Sequence, residues 1–282
     1  MTTSEAPDDT PLERVPILSP GIVPARVIIL GASNVAWARN HLVRRIRQLL
    51  GTPLEFYFVA GHGRSYGIRT TVLWGQTLPG ISSCGLWSVL DERLDHTTPS
   101  YALITDIGND LLYGQAVEDI STWVEACVDR LLRLGTRVVV TGLPMENLSS
   151  LGPIRFQVMR TLIFRDRFHR LTEIKEQAAS LDRSLRRLAD AHRLTLVPLR
   201  GSWYGFDPIH LRRSSWQEAW DEMVAAWLAE PNNRDVDVSA EATDRWPSLR
   251  FRVPAERWLF GRRQSTPQPT LTLADGSKVF LY

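Results

Sequence analysis

"VIILGASNVAWAR", residues 27–39, is an apolar run that stops at a Gly-Ala-Ser turn and resumes with helical spacing. The run reads as a buried strand and the continuation as a helix. Ser33 stands at the junction, and three roles are open to it there. Its hydroxyl is an N-cap that satisfies orphan N–H groups of the first helical turn, or it belongs to a phosphate-binding turn, or it is a nucleophile at the carboxyl end of a strand, where open α/β sheets place their ligands.

The same alternation continues outward from this stretch. "RVIIL" (26–30), "EFYFVA" (55–60), "YALITDI" (101–107), "RVVVTGL" (137–143) and "LTLVPL" (194–199) are short, mostly apolar and bounded by Gly, Pro or polar breakers, which predicts five buried strands. Helical patterns fall between and after them at 34–50, 85–95, 117–134, 154–192 and 213–229. Strands alternating with helices predict right-handed crossovers and a mostly parallel five-stranded sheet covered on both faces, an α/β/α sandwich. Residues 1–25 carry five prolines and no apolar period, and read as an extended arm. Residues 26–230 form the main domain, and 231–282 an extension in which "TLTLADGSKVFLY" predicts a β-hairpin turning at Asp275-Gly276. That hairpin is expected to lie outside the main sheet. Leu271, Leu273, Val279 and Leu281 would bury one of its faces against the main domain or, in a homo-oligomer, against a second subunit.

Bulk properties narrow the function classes. Lys and Arg number 33 against 31 Asp and Glu, a net charge of +2, so nucleic acid is a poor partner. Cys84 and Cys127 are too few for a disulfide framework or a zinc site and read as buried thiols in a reducing compartment. The acidic, Pro-rich start lacks an export signal and no apolar run approaches the ~20 residues of a membrane span, so a cytoplasmic location is expected. His41, His62, His96, His169 and His192 form no metal-binding spacing and read mostly as surface residues. Trp74, Trp87, Trp203 and Tyr204 read as core or edge aromatics, with a substrate cleft as the alternative. Residues 155–171 read as a core-facing helix with a basic outer face, or else as the wall of an acyl pocket.

In a parallel sheet the polar residues at the carboxyl ends of the strands share one edge. Here they are "GAS" (31–33), "GHGRSYG" (61–67), "DIGND" (106–110) and "DPIH" (207–210). In this order they resemble the four sequence blocks of the SGNH, or GDSL, hydrolase family, over about residues 26–225. The resemblance implies a flavodoxin-like sandwich and a serine-dependent hydrolase of carboxylic esters that acts on a small molecule without a cofactor or metal. It implies Ser33 as nucleophile, His210 as base and Asp207 as its orienter. An oxyanion hole would comprise the Ser33 N–H, a glycine N–H from Gly67 (Gly63 being the alternative) and the Asn109 amide. The sequence departs from the family pattern at Ala32, where the family has Asp, and at Ile107, where it has Gly.

These residue types suit acyl transfer, which needs a nucleophile, a base, a group to orient the base and donors for the oxyanion. Ser33 opens a helix, where positive potential favours developing negative charge. Asp207 lies three residues before His210, near enough to fix the imidazole tautomer. Asp110 reads as a hydrogen-bond acceptor that fixes a loop. Other readings are a nucleotide-binding Rossmann protein and a non-catalytic or acyl-transferring protein on the same scaffold. The first suffers because Gly-x-Gly-x-x-Gly would need glycines at Ser33 and Ala36.

Overall fold

Val27, Ile28, Ile29 and Leu30 are wholly buried, which only a strand covered on both faces permits. The computed structural model describes residues 24–72, 75–92, 97–156, 170–228 and 246–282. Outside them fall nearly all of the expected N-terminal arm, Trp74, His96, His169 and most of the 155–171 segment.

The five expected strands are present as β1 (Ala25–Leu30), β2 (Leu54–Val59), β5 (Ser100–Ile104), β6 (Arg137–Thr141) and β7 (Thr195–Val197). They pair in parallel in the order β2-β1-β5-β6-β7. Because side chains alternate across a strand, each one feeds two cores. Ile28, Tyr57, Ala102 and Val138 face one core, where α2 (Leu86–Glu92), α4 (Val117–Arg133) and α6 (Leu171–His192) pack. Val27, Phe56, Leu103 and Val139 face the other, under α1 (Ser33–Leu50) and α7 (Trp216–Ala225). Two short helices, α3 (Asn109–Leu112) and α5 (Met145–Ser149), follow β5 and β6. Cys84 and Cys127 are free and buried. No helix among the described residues is long and apolar enough to cross a membrane.

The sheet corrects the expectation for the C-terminal hairpin. Strands β10 (Leu271–Thr272) and β11 (Lys278–Leu281) do form an antiparallel pair around Asp275-Gly276, but β11 also pairs in parallel with β2. The sheet therefore has seven strands, and the hairpin is its edge. Leu273, Val279 and Leu281 are buried in the core under α1, with Leu271 packed against it, so the apolar face is covered by the chain's own main domain. Two side chains lock the hairpin in place. Asp275 Oδ2 accepts from Arg47 Nε and Nη2 at 2.9 and 2.6 Å, and Ser277 Oγ accepts from the Leu54 N–H at 3.0 Å.

A second sheet was not expected. It joins β3 (Thr70–Val72), β4 (Gln76–Leu78), β8 (Glu256–Leu259) and β9 (Arg262–Ser265), all antiparallel. Its strands carry little apolar periodicity, and all four residues of β9 are exposed. The β8–β9 link is a two-residue turn in which Phe260 and Gly261 both have positive φ, 48° and 78°, the twist that joins hairpin strands.

Candidate active site

Each of the four strand-end segments leaves the carboxyl edge of the main sheet. Ser33 begins α1 directly after β1, and the N-cap position is Ala32, which makes no side-chain cap. The Ser33 hydroxyl does not close the helix. It lies 2.8 Å from His210 Nε2 across 177 residues of chain. On the other side of the imidazole, Nδ1 lies 2.5 Å from Asp207 Oδ2. The second carboxylate oxygen, Oδ1, accepts the N–H groups of Ile209 and His210 at 2.8 and 3.3 Å. One aspartate thus shapes the turn that carries the histidine and also holds the ring. Burial alone would raise the Asp207 carboxyl. The His210 hydrogen bond and charge, with the two N–H groups, outweigh it and hold the group below the usual carboxylate range.

Trp37, one helical turn after Ser33, rests on His210 with ring centroids 4.6 Å apart. His62 also lies against Trp37, at 5.4 Å, which puts this exposed histidine beside the site.

Asp106 and Asn34 belong to the site framework and were missed from sequence. Asp106 sits just after β5 at φ 58°, a left-handed conformation uncommon for a residue other than glycine. Its Oδ2 accepts the Ala32 N–H and its Oδ1 the Asn34 amide, both at 2.8 Å. Asn34 in turn donates to the Ile209 carbonyl and accepts the Leu211 N–H, each at 3.0 Å, and so holds the backbone on both sides of His210. The carboxylate next to the first turn of α1 also complements the positive end of the helix, where a capping side chain is lacking. The signal in the sequence was a second acidic residue in "DIGND" and an Asn beside Ser33; neither reveals its partner.

Asn109 opens α3 and lines a cavity beside Asp106 and Ile209. Among the described residues its carboxamide has no hydrogen-bond partner. The Gly67 N–H, expected to face an oxyanion, donates to Ser65 Oγ at 3.0 Å. Gly67 serves packing: a Cβ there would fall 2.1 Å from the Trp123 ring. Ser65 donates to Asp110, whose other oxygen accepts the Tyr66 N–H at 2.9 Å, so Asp110 pins the 65–67 loop. Burial pushes the Asp110 carboxyl up to about 6 against these hydrogen bonds. Gly63 turns the same loop at φ 59°, with its carbonyl accepting the Tyr113 hydroxyl at 2.6 Å. Trp87 and Trp203 are core residues, whereas Tyr204 lines the cavity. Among the described residues no group of His, Cys, Asp and Glu is arranged to hold a metal ion.

No family model matches the chain, and no curated protein does. Among solved structures it is similar to the psychrotrophic esterase EstA from Pseudoalteromonas sp. (14% identity, 73% of this chain and 99% of that one, TM-score 0.44). It is similar to TesA (15%, 72% and 98%, TM-score 0.44) and to the aryl esterase of M. smegmatis (19%, 72% and 99%, TM-score 0.45).

Proposed function

We propose that the chain hydrolyses carboxylic esters as a serine hydrolase of the SGNH type, with Ser33 as nucleophile, His210 as base and Asp207 as orienter. The observation that carries this reading is the unbroken hydrogen-bond chain from Ser33 Oγ through the His210 ring to Asp207, with links of 2.8 and 2.5 Å. His210 Nε2 takes the Ser33 proton as Oγ adds to the ester carbonyl carbon. The tetrahedral intermediate collapses, the C–O bond to the alcohol breaks, and His210 returns the proton to the departing alkoxide. Water then adds to the acyl-enzyme by the same route and releases the carboxylic acid. Asp207 stabilises the imidazolium formed in each half.

The oxyanion accepts hydrogen bonds from the Ser33 N–H and the Asn109 amide. Gly63 supplies the third donor in place of Gly67, whose N–H is taken by Ser65. Each such donor is worth roughly 3 to 4 kcal/mol in the transition state. The competing phosphate-binding role for the β1–α1 turn is disfavoured by Asp106, because its carboxylate occupies the N–H of Ala32 and would repel a phosphate there.

Incubation with a fluorophosphonate followed by peptide mapping tests the reading. Label on Ser33, with Ser33→Ala folded but nearly inactive on an activated ester, is the expected result. Label on another serine, or full activity in the variant, overturns it. A thermal shift with NAD or NADP would return the chain to nucleotide binding.

A further inference from the structure

A cavity open to solvent at its mouth lies beside the site, between the segments after β5 and β6, α5 and α6. Its walls are apolar: Leu111, Leu143, Leu148, Leu151, Ile174 and Ala178 line its depth. Among the described residues the polar side chains in its lining are Asp106, Asn109 and Tyr204. Both oxygens of Asp106 are engaged with Ala32 and Asn34, which leaves the Asn109 amide and the Tyr204 hydroxyl as the polar groups available to a ligand among the described residues. A mostly apolar pocket with a few polar groups suits an apolar body with a polar head.

Two exposed apolar side chains lie close in sequence to the lining, Phe206 between Tyr204 and Pro208 and Ile154 two residues before Phe156. Phe206 is 65% exposed and Ile154 is 83% exposed, uncommon positions for large apolar side chains. They are held together by Arg155, which donates to the Gly205 and Phe206 carbonyls and lies over the Phe206 ring. The next residue, Phe156, lines the cavity itself. Exposed apolar side chains thus flank the segments that line the apolar cavity.

We infer that this cavity binds the acyl chain of the substrate, and that the substrates are esters of unbranched aliphatic acids longer than acetate or propionate. The inference rests on the serine hydrolase reading for the direction in which the substrate lies. The leaving oxygen must face His210 Nε2 to receive its proton. The carbonyl oxygen accepts from Asn109, and the remaining substituent of the carbonyl carbon, the acyl chain, enters the cavity that Asn109 lines. Each methylene moved from water into the cavity raises kcat/KM by roughly fourfold until the space is filled.

Two measurements test this and separate it from the hydrolase reading. In the first, kcat/KM is measured for p-nitrophenyl acetate, butyrate, octanoate and decanoate with the wild-type protein, Ala178→Leu and Leu151→Phe. The expected wild-type values rise with acyl length, and the decanoate-to-acetate ratio falls tenfold or more in whichever cavity-filling variant folds. In the second, decanoate is titrated into Ser33→Ala and followed by calorimetry; saturable binding that Ala178→Leu or Leu151→Phe weakens is expected. Preference for acetate, an unchanged ratio in the variants, or dependence on the length of the alcohol overturns the acyl assignment while ester hydrolysis stands. Absence of hydrolysis of any ester, with decanoate still bound by Ser33→Ala, overturns the hydrolase reading and keeps the cavity as an aliphatic acid site. Absence of decanoate binding overturns the cavity assignment whatever the kinetics.

Discussion

Asn34 Nδ2 lies 2.8 Å from Asp106 Oδ1, a contact between the first turn of α1 and the end of β5. Through it the Ser33 turn, the β5 edge and the His210 loop share one hydrogen-bond network, because Asn34 also pairs with Ile209 and Leu211. Removing the amide as Asn34→Ala leaves the buried Leu211 N–H and one Asp106 oxygen without partners. We expect a loss of about 1 to 3 kcal/mol in stability. Displacement of His210 should lower kcat on the order of a hundredfold with KM nearly kept. Denaturation and steady-state kinetics on the purified variant check both, and a normal kcat would show that His210 is held without Asn34.

Asn109 separates a catalytic from a bracing role. A brace that is lost lowers the melting temperature and spares the rate per folded molecule. An oxyanion donor acts mainly in the transition state, so Asn109→Ala should lower kcat a hundredfold or more with little change in KM or melting temperature. Asn109→Asp should be at least as inactive, since it sets a negative charge beside the developing one. A reduced melting temperature with near-normal kcat would return the residue to a structural role.

Asp110 should make stability depend on pH in an unusual direction. Its folded value, pushed up to about 6 by burial, lies above the unfolded carboxylate value, so the native state binds more protons between the two. Its contribution is complete below about pH 4 and is lost as pH rises through about 6. Relative to Asp110→Asn, the wild-type protein should lose about 2 to 3 kcal/mol between pH 4 and pH 7. Urea denaturation of both proteins at the two pH values measures it, and parallel pH profiles would rule the effect out.

Asp275 works in the opposite sense. Burial would raise it, but the Ser277 and Arg47 hydrogen bonds and the Arg47 charge prevail and hold it below the usual carboxylate range. Its contribution is present above the unfolded value of about 3.9 and is lost as pH falls through the lower folded value. Asp275→Ala should cost about 1 to 2 kcal/mol at pH 7, and the gap from wild type should close in strong acid. An equal gap at pH 7 and pH 2.5 would mean that the Arg47 contact contributes nothing.

Deletion of the chain after Gln264 removes β10 and β11 and exposes one edge of β2. It also takes Val279 and Leu281 from one core and Phe280 and Tyr282 from the other. Loss of cooperative unfolding is expected, read by circular dichroism on heating. A truncated chain that unfolds like the full one would show the hairpin to be dispensable.

The central strands could be read from residues 26–199 because each is a short apolar run between breakers, and that pattern is local. The hairpin turn was readable for the same reason: Asp275-Gly276 sits between two alternating segments, and Gly276 adopts φ 85°. The four segments that carry Ser33, Asn109, Asp207 and His210 could be collected because parallel strands bring their carboxyl ends to one edge, and the resemblance to the SGNH family singled out these residues within them. Pairing partners are a different kind of information. Strand β11 presents the same alternation whether its neighbour is β2, a loop or another molecule, and the choice falls to the free edge of β2 and the Arg47–Asp275 contact. The second sheet left almost no apolar signal, since β9 is wholly exposed and β3 has three residues. Hydrogen-bond acceptors are likewise nonlocal. The Gly67 N–H goes to Ser65 because Asp110, 45 residues beyond Ser65, fixes that hydroxyl. Asp106 reaches back 72 residues to Asn34, across adjacent strands that meet only when the sheet forms. Local pattern sets which segments become strands and helices, since burial follows residue type. Long-range packing sets which polar groups meet, since each N–H and carboxylate takes the partner that folding brings within reach.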